Sequence, residues 1–217
     1  MPIDDSSPPI TTVLFDADGV MQRTAPGWQD ELAAMVGPRN DLDADDFALA
    51  VQQAEAPTMD GKTEIADAMV EVLRRYSVSL RVDDILDLWT RITADPSMIE
   101  AVQDLRCAGL RCCLATNQQR QRAAWMKANL GYQEVFDEEF YSCDLGLAKP
   151  DPAFFTTILK HLAVEPSAVL FVDDTAANVD AARELGLNAY LFRRWGGRQV
   201  LEEILHQQGI ALGARKG

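Results

Sequence analysis

Four short apolar segments constrain the fold of this chain more than any other feature. They are residues 11–15, 110–115, 168–172 and 188–192, and each is a nearly continuous apolar run rather than an alternation of apolar and polar residues. Such runs are typical of strands that are buried on both faces of a parallel sheet. Helical patterns separate the segments, which predicts βα units and an open α/β sheet.

Two of the helical patterns have recognisable starts. In residues 96–109, Ser97 and Glu100 have the spacing of a capping box, and the pattern stops at Gly109. A second helix is predicted after Asp151, which would act as its N-cap, with Pro152 in the first turn. Each helix carries an apolar stripe that can pack on the sheet.

Residues from about 27 to 94 interrupt this alternation. They contain helical patterns beginning near Trp28, Thr63 and Asp83, with no convincing strand between them. A chain of 217 residues has room for one substantial domain with a small insertion. We therefore predict an α/β core formed by residues 1–20 and 97–217, and an all-helical insertion over residues 21–96.

The charge balance excludes several classes of partner. There are 34 acidic residues and 20 basic ones, for a net charge of −14. Nucleic acid and anionic membrane surfaces would be repelled, so neither is expected as a partner. A phosphorylated small molecule could bind only where a cation or local NH donors reverse the sign of the charge.

The cysteines and the N-terminal residues indicate in which cellular compartment the protein is expected. Cys112 and Cys113 are adjacent within an apolar run, and Cys107 and Cys143 complete no metal-binding motif. Reduced thiols in the cytoplasm are the simplest interpretation. The stretch "MPIDDSSPPI" lacks the basic and apolar regions of a signal peptide and is predicted to be a short frayed tail.

Polar side chains cluster where the predicted strands end, which is where open α/β sheets bind ligands. After the first strand come Asp16, Asp18 and Gly19; after the second, Thr116 and Asn117; after the third, Asp173, Asp174, Thr175 and Asn178. Lys149 stands in the proline-bounded loop "GLAKPDP" before a helix.

Each cluster also has a purely structural interpretation. The sequence "DADG" is good turn chemistry, Thr116 could cap a helix beginning near Gln118, and Lys149 could be a surface lysine. Together, however, the clusters would bring three or four carboxylates to one sheet edge. Carboxylates that close repel one another unless a divalent cation lies between them, and ligands that are all oxygen indicate Mg²⁺.

Asp16 and Asp18 are two residues apart, so in a strand-like segment both can point toward one substrate. One carboxylate could attack phosphorus while the other handles protons. To act as an acid near neutral pH, the second would need a pKa above the free value of roughly 3.9. Partial burial is the expected cause of such a raised pKa.

The segments "LFDADGV", "LATN", "AKPDP" and "FVDDTAANVDAARELG" resemble, in order and spacing, the four motifs of the haloacid dehalogenase (HAD) superfamily in its phosphatase branch. The resemblance extends from about residue 11 to about residue 192. It implies a Rossmann-like, mostly parallel sheet flanked by helices. The insertion resembles the small helical cap that many members carry after the first motif.

The resemblance also implies a reaction, the Mg²⁺-dependent hydrolysis of a small phosphomonoester such as a sugar phosphate. Asp16 would be the nucleophile and form an aspartyl-phosphate, while Asp18 would protonate the leaving group and then activate water. The metal would be held by the Asp16 carboxylate, the Asp18 carbonyl and Asp174, with Asp173 as a direct or indirect ligand supported by Asn178. Thr116, the Asn117 NH and Lys149 would bind the phosphoryl oxygens.

Alternatives remain open at this stage. A phosphomutase shares the first motif, and a non-catalytic relative could serve as a binding or regulatory module. Members that displace halide lack an aspartate at the position of Asp18, which ranks dehalogenase lower. The polar or bulky residues near the first motif and in the insertion that could reach a ligand are Met21, Gln22, Arg23, Trp28 and Lys62. His161 and His206 show no metal spacing and are assigned no role.

Overall fold

A computed structural model of the chain describes residues 9–39 and 41–212. The strands are β1 (Thr12–Phe15), β2 (Gln22–Thr24), β3 (Ile92–Ala94), β4 (Arg111–Thr116), β5 (Glu138–Tyr141), β6 (Val169–Asp173) and β7 (Asn188–Leu191). The first helices are α1 (Trp28–Val36), α2 (Ala44–Gln53), α3 (Ile65–Arg75), α4 (Val82–Trp89) and α5 (Pro96–Cys107). They are followed by α6 (Arg120–Asn129), α7 (Tyr132–Val135), α8 (Ser142–Leu145), α9 (Pro152–Leu162), α10 (Ala176–Glu184) and α11 (Gly197–Gln207). The predicted N-terminal tail falls mostly on residues 1–8, which lie outside the described residues.

Five strands form one parallel sheet in the order β5-β4-β1-β6-β7, which confirms the predicted α/β class. The four predicted strands are β1, β4, β6 and β7. Alternate residues of β1 enter different hydrophobic clusters, Val13 and Phe15 one and Leu14 the other. The sheet is thus covered by side chains on both faces, which explains why its central strands are continuously apolar.

β5 was not predicted from the sequence. It lies at the edge of the sheet, where β4 is its one partner among the described strands, and its first two residues, Glu138 and Glu139, are partly exposed. Glu138 forms an ion pair with Arg111 of β4. An edge strand has one solvated side and can therefore carry charged residues, so it lacks the apolar run by which the central strands were recognised.

Residues 28–89 form a helical insertion that contains α1 to α4. These helices pack around their own hydrophobic cluster, which includes Leu32, Phe47, Met69, Ile85 and Trp89. The predicted helix starts near Trp28, Thr63 and Asp83 agree with α1, α3 and α4, whereas α2 was not predicted.

Two short strands lie at the ends of the insertion, although residues 21–96 were predicted to be all-helical. β2 and β3 pair antiparallel at the two joints of the insertion, with Gln22 opposite Ala94. Each strand has only three residues, too few to show a period of two in the sequence. The ribbon fixes where the chain leaves the core and where it returns.

The start of α5 also differs from the prediction. Its N-cap is Asp95, whose carboxylate accepts a hydrogen bond from the Ser97 NH at 2.9 Å, and Pro96 occupies the first turn. The predicted capping box of Ser97 and Glu100 was therefore wrong, because Asp95 precedes Ser97 and caps the helix earlier. The prediction for α9 is confirmed, since Asp151 accepts a hydrogen bond from the Ala153 NH at 2.8 Å.

All four cysteines are unpaired, Cys107 exposed and the others buried. Burial raises the pKa of Cys113 to about 12, which keeps its thiol protonated at neutral pH. Across residues 9–39 and 41–212, the helices are too short or too polar to cross a membrane.

Candidate active site

A buried lysine joins two of the predicted carboxylates. The Lys149 ammonium donates hydrogen bonds to Asp16 and Asp173, each at 2.6 Å, and to the Ala115 carbonyl at 2.8 Å. Its side chain is fully buried, so its interpretation as a surface lysine is excluded. Asp16 follows β1 and Asp173 ends β6, and these neighbouring strands bring the two carboxylates to the same sheet edge.

Burial and neighbouring charges together set the pKa values of Asp16 and Lys149. Burial raises the pKa of Asp16 to about 7, and the charge of Asp173 adds to the effect while Lys149 opposes it. For Lys149, burial works in the lowering direction, but the two carboxylates outweigh it and raise the pKa. Lys149 is therefore charged at neutral pH, and Asp16 lacks enough positive charge nearby to ionise as readily as a free aspartate.

Asp16, Asp173 and Asp174 form an acidic cluster in which one oxygen of each lies within 4.8 Å of the others. The Asp173 carboxylate accepts two hydrogen bonds besides the one from Lys149. They come from the Asn178 amide at 3.0 Å and from the Thr175 NH at 2.8 Å. An all-oxygen donor set of this size suits a hard divalent cation. The cluster could thus hold a metal ion, with Asn178 orienting Asp173.

Asp174 and Gly19 meet at the outer side of this cluster. The Asp174 carboxylate accepts a hydrogen bond from Arg194 Nε at 2.5 Å. Gly19 has φ +82°, and a Cβ at this position would overlap the Asp174 carboxylate. Glycine alone can adopt this positive φ without strain and leave room for the Asp174 carboxylate. The last residue of "DADG" is therefore required to be glycine.

Asp18 is surrounded by hydrogen-bond donors. Arg122 reaches its two oxygens at 2.5 Å and 2.8 Å, Gln118 donates at 2.7 Å and Gln22 at 3.1 Å. Burial alone would raise the pKa of Asp18, but the charge of Arg122 and these hydrogen bonds outweigh it and lower the pKa to about 2. The expected raised pKa was therefore wrong for this arrangement.

Arg122 was not identified from the sequence. It lies on α6, is buried, and also donates to Gln118 Oε1 at 2.6 Å, to the Trp89 carbonyl at 2.9 Å and to the Thr24 hydroxyl at 3.1 Å. The sequence carried no periodic signal for this contact, because Gln118 precedes the Gln119 cap and lies outside α6.

Thr116 and Asn117 lie at the end of β4. Thr116 does not cap a helix, because α6 begins at Arg120 with the Gln119 side chain as its cap. Its buried hydroxyl accepts a hydrogen bond from Gln118 at 3.2 Å. The Asn117 side chain donates to the Lys149 carbonyl at 2.8 Å and accepts from the Lys149 NH at 2.9 Å, so it holds the lysine loop in place.

A cavity of about 540 Å³ opens between this sheet edge and the helical insertion. The core contributes Asp18, Gly19, Arg122, Arg194 and Trp195 to its lining, and the insertion and its joint contribute Arg23, Thr24, Ala25, Pro26, Gly27, Trp28, Gln29, Gln52, Glu55 and Trp89. Of the lining residues, only Asp18, Gly19, Arg23 and Trp28 were candidates from the sequence, so Glu55 was among those that were missed.

The five residues that were expected to reach a ligand divide accordingly. Arg23 and Trp28 line the cavity. Met21 is fully buried in the core, and Gln22 is buried and accepts a hydrogen bond from the Tyr132 hydroxyl at 3.0 Å, so both serve packing and positioning. Lys62 is exposed and pairs with Asp60 at 2.7 Å, away from the cavity lining.

The chain is similar in sequence to known hydrolases and phosphatases. Residues 10–186 match the haloacid dehalogenase-like hydrolase family. Bifunctional epoxide hydrolase 2 of Sus scrofa is 32% identical over 100 residues, which cover 44% of this chain and 18% of the pig protein. Phosphatase MT3486 of Mycobacterium tuberculosis is 34% identical over 104 residues, which cover 46% of this chain and 47% of that protein. The matches thus span less than half of either relative.

Solved structures share the fold at low sequence identity. A HAD family enzyme from Bacteroides thetaiotaomicron superposes with a TM-score of 0.76 at 18% identity, covering 89% of this chain and 98% of that one. L-2-haloacid dehalogenase from Xanthobacter autotrophicus superposes with a TM-score of 0.63 at 19% identity, covering 83% and 76%. At these identities the likeness establishes the fold alone.

Proposed function

This chain belongs to the haloacid dehalogenase-like hydrolase family, and we propose that it hydrolyses a small phosphomonoester through a phosphorylated Asp16. The observation that carries the proposal is the contact of Asp16 with the buried Lys149, at 2.6 Å, beside two further carboxylates. A carboxylate held in this way has a fixed direction of attack. The same ammonium offsets negative charge that a phosphate ester brings.

In the proposed reaction, a carboxylate oxygen of Asp16 attacks phosphorus and the ester oxygen leaves with the bonding electrons. Lys149, the Thr116 hydroxyl and the Asn117 NH bind the phosphoryl oxygens. Water then attacks the phosphorus of the acyl phosphate, which releases phosphate and restores Asp16. Because the phosphoryl group is anionic throughout, positioning and charge stabilisation supply most of the rate enhancement.

Asp18 is the proposed acid for the leaving group and the base for water. It must first take up a proton, which the charge of Arg122 disfavours. A bound phosphate dianion raises the pKa of nearby carboxyl groups by like-charge repulsion, and movement of Arg122 would have the same effect. Substrate binding and loosening of the Arg122 contact are therefore the proposed conditions for proton transfer.

The proposed cofactor is Mg²⁺, held by the Asp16 and Asp174 carboxylates and the Asp18 carbonyl. Asp173 stands behind these ligands, since Lys149 and Asn178 already engage its oxygens. A bound divalent cation supplies charge neutralisation for the phosphoryl oxygens. The HAD family enzyme from Bacteroides thetaiotaomicron has been crystallised as a magnesium complex, which supports this assignment.

The helical insertion is proposed to act as a cap, with residues 21–96 as the unit that covers the core. Ser142 donates a hydrogen bond to the Met59 carbonyl at 2.5 Å, and Arg120 donates to the Gly61 carbonyl at 3.0 Å. Shielding of the site from bulk water favours a small phosphorylated metabolite, for instance a sugar phosphate, over nucleic acid or a membrane as the partner. The unpaired cysteines support a cytoplasmic location.

Dehalogenation is the second candidate, because Asp18 is held ionised and displacement of halide needs no acid for the leaving group. A phosphomutase, which transfers the phosphoryl group to a second substrate rather than to water, is the third candidate.

The test is release of p-nitrophenol from p-nitrophenyl phosphate with Mg²⁺. We expect turnover by the wild type, a loss of at least about 1,000-fold in Asp16→Asn, and no change in the matched surface variant Asp180→Asn. Turnover by Asp16→Asn equal to that of the wild type would refute the assignment of Asp16 as the nucleophile. A parallel incubation with a 2-haloacid separates the candidates, since halide release without phosphatase turnover would favour the dehalogenase.

A further inference from the structure

Glu55 brings a carboxylate to the cavity that the proposed reaction does not use. It lies between α2 and the 3₁₀ turn Ala56–Thr58, is partly buried, and lines the cavity together with Asp18 and Arg122. Within the described part of the chain, its carboxylate has no hydrogen-bond or ion-pair partner. Burial raises the pKa of Glu55 to about 7, because the charge of Arg122 does not offset it and that of Asp18 adds to it.

The walls around Glu55 are rich in aromatic rings. Three of the four tryptophans of the chain line this one cavity: Trp28, Trp89 and Trp195. The rings of Trp28 and Trp89 lie edge to face, with centroids 6.4 Å apart. Trp195 is 54% exposed and adopts φ +59°, a strained backbone conformation for a bulky residue. Because Trp89 is only 7% exposed, the indoles that can pack against the C–H faces of a ring-shaped ligand are those of Trp28 and Trp195.

The other charges of the cavity select against a cationic ligand. Arg23, Arg122 and Arg194 all line it, and Arg122 already pairs with Asp18, so the cavity offers an ammonium group little negative charge beyond Glu55, whose raised pKa reduces it further. Thr24, Gln29 and Gln52 add neutral hydrogen-bonding groups. A neutral leaving group with several hydroxyls satisfies Glu55 and these groups without charge repulsion.

We propose that Glu55 is the specificity-determining residue of the cap, and that its carboxylate accepts hydrogen bonds from hydroxyl groups of a sugar or other cyclic polyol esterified to the phosphate. The inference rests on the proposed phosphatase function. It assigns the leaving group to the space between Glu55 and the tryptophans, while the phosphoryl group lies at Asp16. A leaving group without hydroxyls would leave the Glu55 carboxylate desolvated and unpaired.

The experiment compares kcat/KM for hexose and pentose phosphates, cyclohexylmethyl phosphate, phosphocholine and p-nitrophenyl phosphate. We expect at least one sugar phosphate to exceed cyclohexylmethyl phosphate tenfold or more, since the two differ mainly in hydroxyls. In Glu55→Ala, the ratio of kcat/KM for that sugar phosphate to kcat/KM for p-nitrophenyl phosphate should fall about 10- to 100-fold, chiefly through KM, as a hydrogen bond to a charged group is lost. Glu55→Gln keeps one acceptor oxygen, so its ratio should lie between the ratio of the wild type and that of Glu55→Ala.

The control is Glu71→Ala, which removes an exposed glutamate of the insertion outside the cavity lining and should leave the ratio unchanged. A preference for phosphocholine, or equal losses in Glu55→Ala for all substrates, would overturn the role of Glu55 while leaving the phosphatase intact. Turnover of p-nitrophenyl phosphate without turnover of any sugar phosphate would do the same. Failure of the wild type on every phosphate ester would instead remove the proposed function itself.

Discussion

Arg122 holds both carboxylate oxygens of Asp18, at 2.5 Å and 2.8 Å, although the two residues are 104 positions apart in the chain. The same guanidinium donates to the Trp89 carbonyl of the insertion and to the Thr24 hydroxyl at its joint. One side chain therefore contacts both the Asp18 carboxylate and the insertion. A shift of the insertion that drew Arg122 away would also make Asp18 easier to protonate.

Replacement of Arg122 by methionine should raise the pKa of Asp18 by at least about one unit, because burial then acts on the carboxyl without the opposing cation. Carbon-13 NMR of labelled aspartate carboxyl groups measures this directly. Arg120→Met is the matched control, since Arg120 contacts the insertion at Gly61 and makes no hydrogen bond to Asp18. An unchanged Asp18 pKa in Arg122→Met would contradict the assigned cause.

The lowered pKa of Asp18 also predicts a pH dependence of stability. The folded pKa is about 2 and the ordinary value 3.8, so the stabilisation is present above pH 3.8 and is lost as the pH falls toward 2. Its size is at most about 2 kcal/mol, because solvent reaches a third of the side chain. Urea unfolding of the wild type should weaken over this interval more than that of Asp18→Asn; identical pH profiles would refute the prediction.

Removal of the Lys149 charge should destabilise the fold. In Lys149→Met, Asp16 and Asp173 would face each other across a buried space without a counter-charge. Breaking a buried ion pair from one side costs about 3–5 kcal/mol in the free energy of unfolding. Denaturation at pH 8 without divalent cations measures the loss, and the exposed Lys160→Met is the control. A loss no larger than that of the control would show that the carboxylates do not depend on Lys149.

Loss of the Arg194 side chain should strengthen Mg²⁺ binding. Arg194 occupies one oxygen of Asp174 and carries a positive charge that repels a cation. Since the arginine side chain is 62% exposed, we expect only about a two- to fivefold lower Kd for Mg²⁺ in Arg194→Ala. Isothermal titration calorimetry measures the Kd, with the neighbouring exposed Arg193→Ala as the control. Weaker binding in Arg194→Ala would instead make the arginine a support of the metal site.

Substitution of Gly19 and of Gly27 by alanine should distinguish the cost of a left-handed backbone from the cost of a steric overlap with Asp174. Gly19 and Gly27 have φ +82° and +84°, but an added Cβ overlaps Asp174 only at Gly19 and meets nothing within 4 Å at Gly27. Gly27→Ala should cost about 1–2 kcal/mol of stability from the left-handed backbone alone. Gly19→Ala should cost more and should also weaken Mg²⁺ binding by displacing Asp174. Thermal unfolding with and without Mg²⁺ tests both effects, and equal losses would exclude the crowding.

The central strands and the carboxylates at their ends were predictable for the same reason. A strand buried on both faces must be apolar throughout, so Thr12–Phe15 and Val169–Asp173 stand out in the sequence. Parallel strands end at a common edge, so Asp16 and Asp173 had to lie at the same edge once both strands entered one sheet, and the pairing of β1 with β6 made them neighbours. The edge strand Glu138–Tyr141 escaped prediction because solvent on one side removes that apolar requirement.

The sequence by itself therefore determined the α/β class, four of the five strands of the sheet and the carboxylates at their ends, because these follow from periodicity and from residue chemistry. The place of Lys149 was expected only from the resemblance of its loop to a family motif. Only the tertiary structure decided the protonation of those carboxylates. The pKa of a carboxyl group depends on burial and on charges within a few ångströms, which come from distant parts of the chain. Asp16 and Asp18 are two residues apart, yet burial raises the pKa of Asp16 in spite of Lys149, whereas Arg122 outweighs burial and lowers the pKa of Asp18.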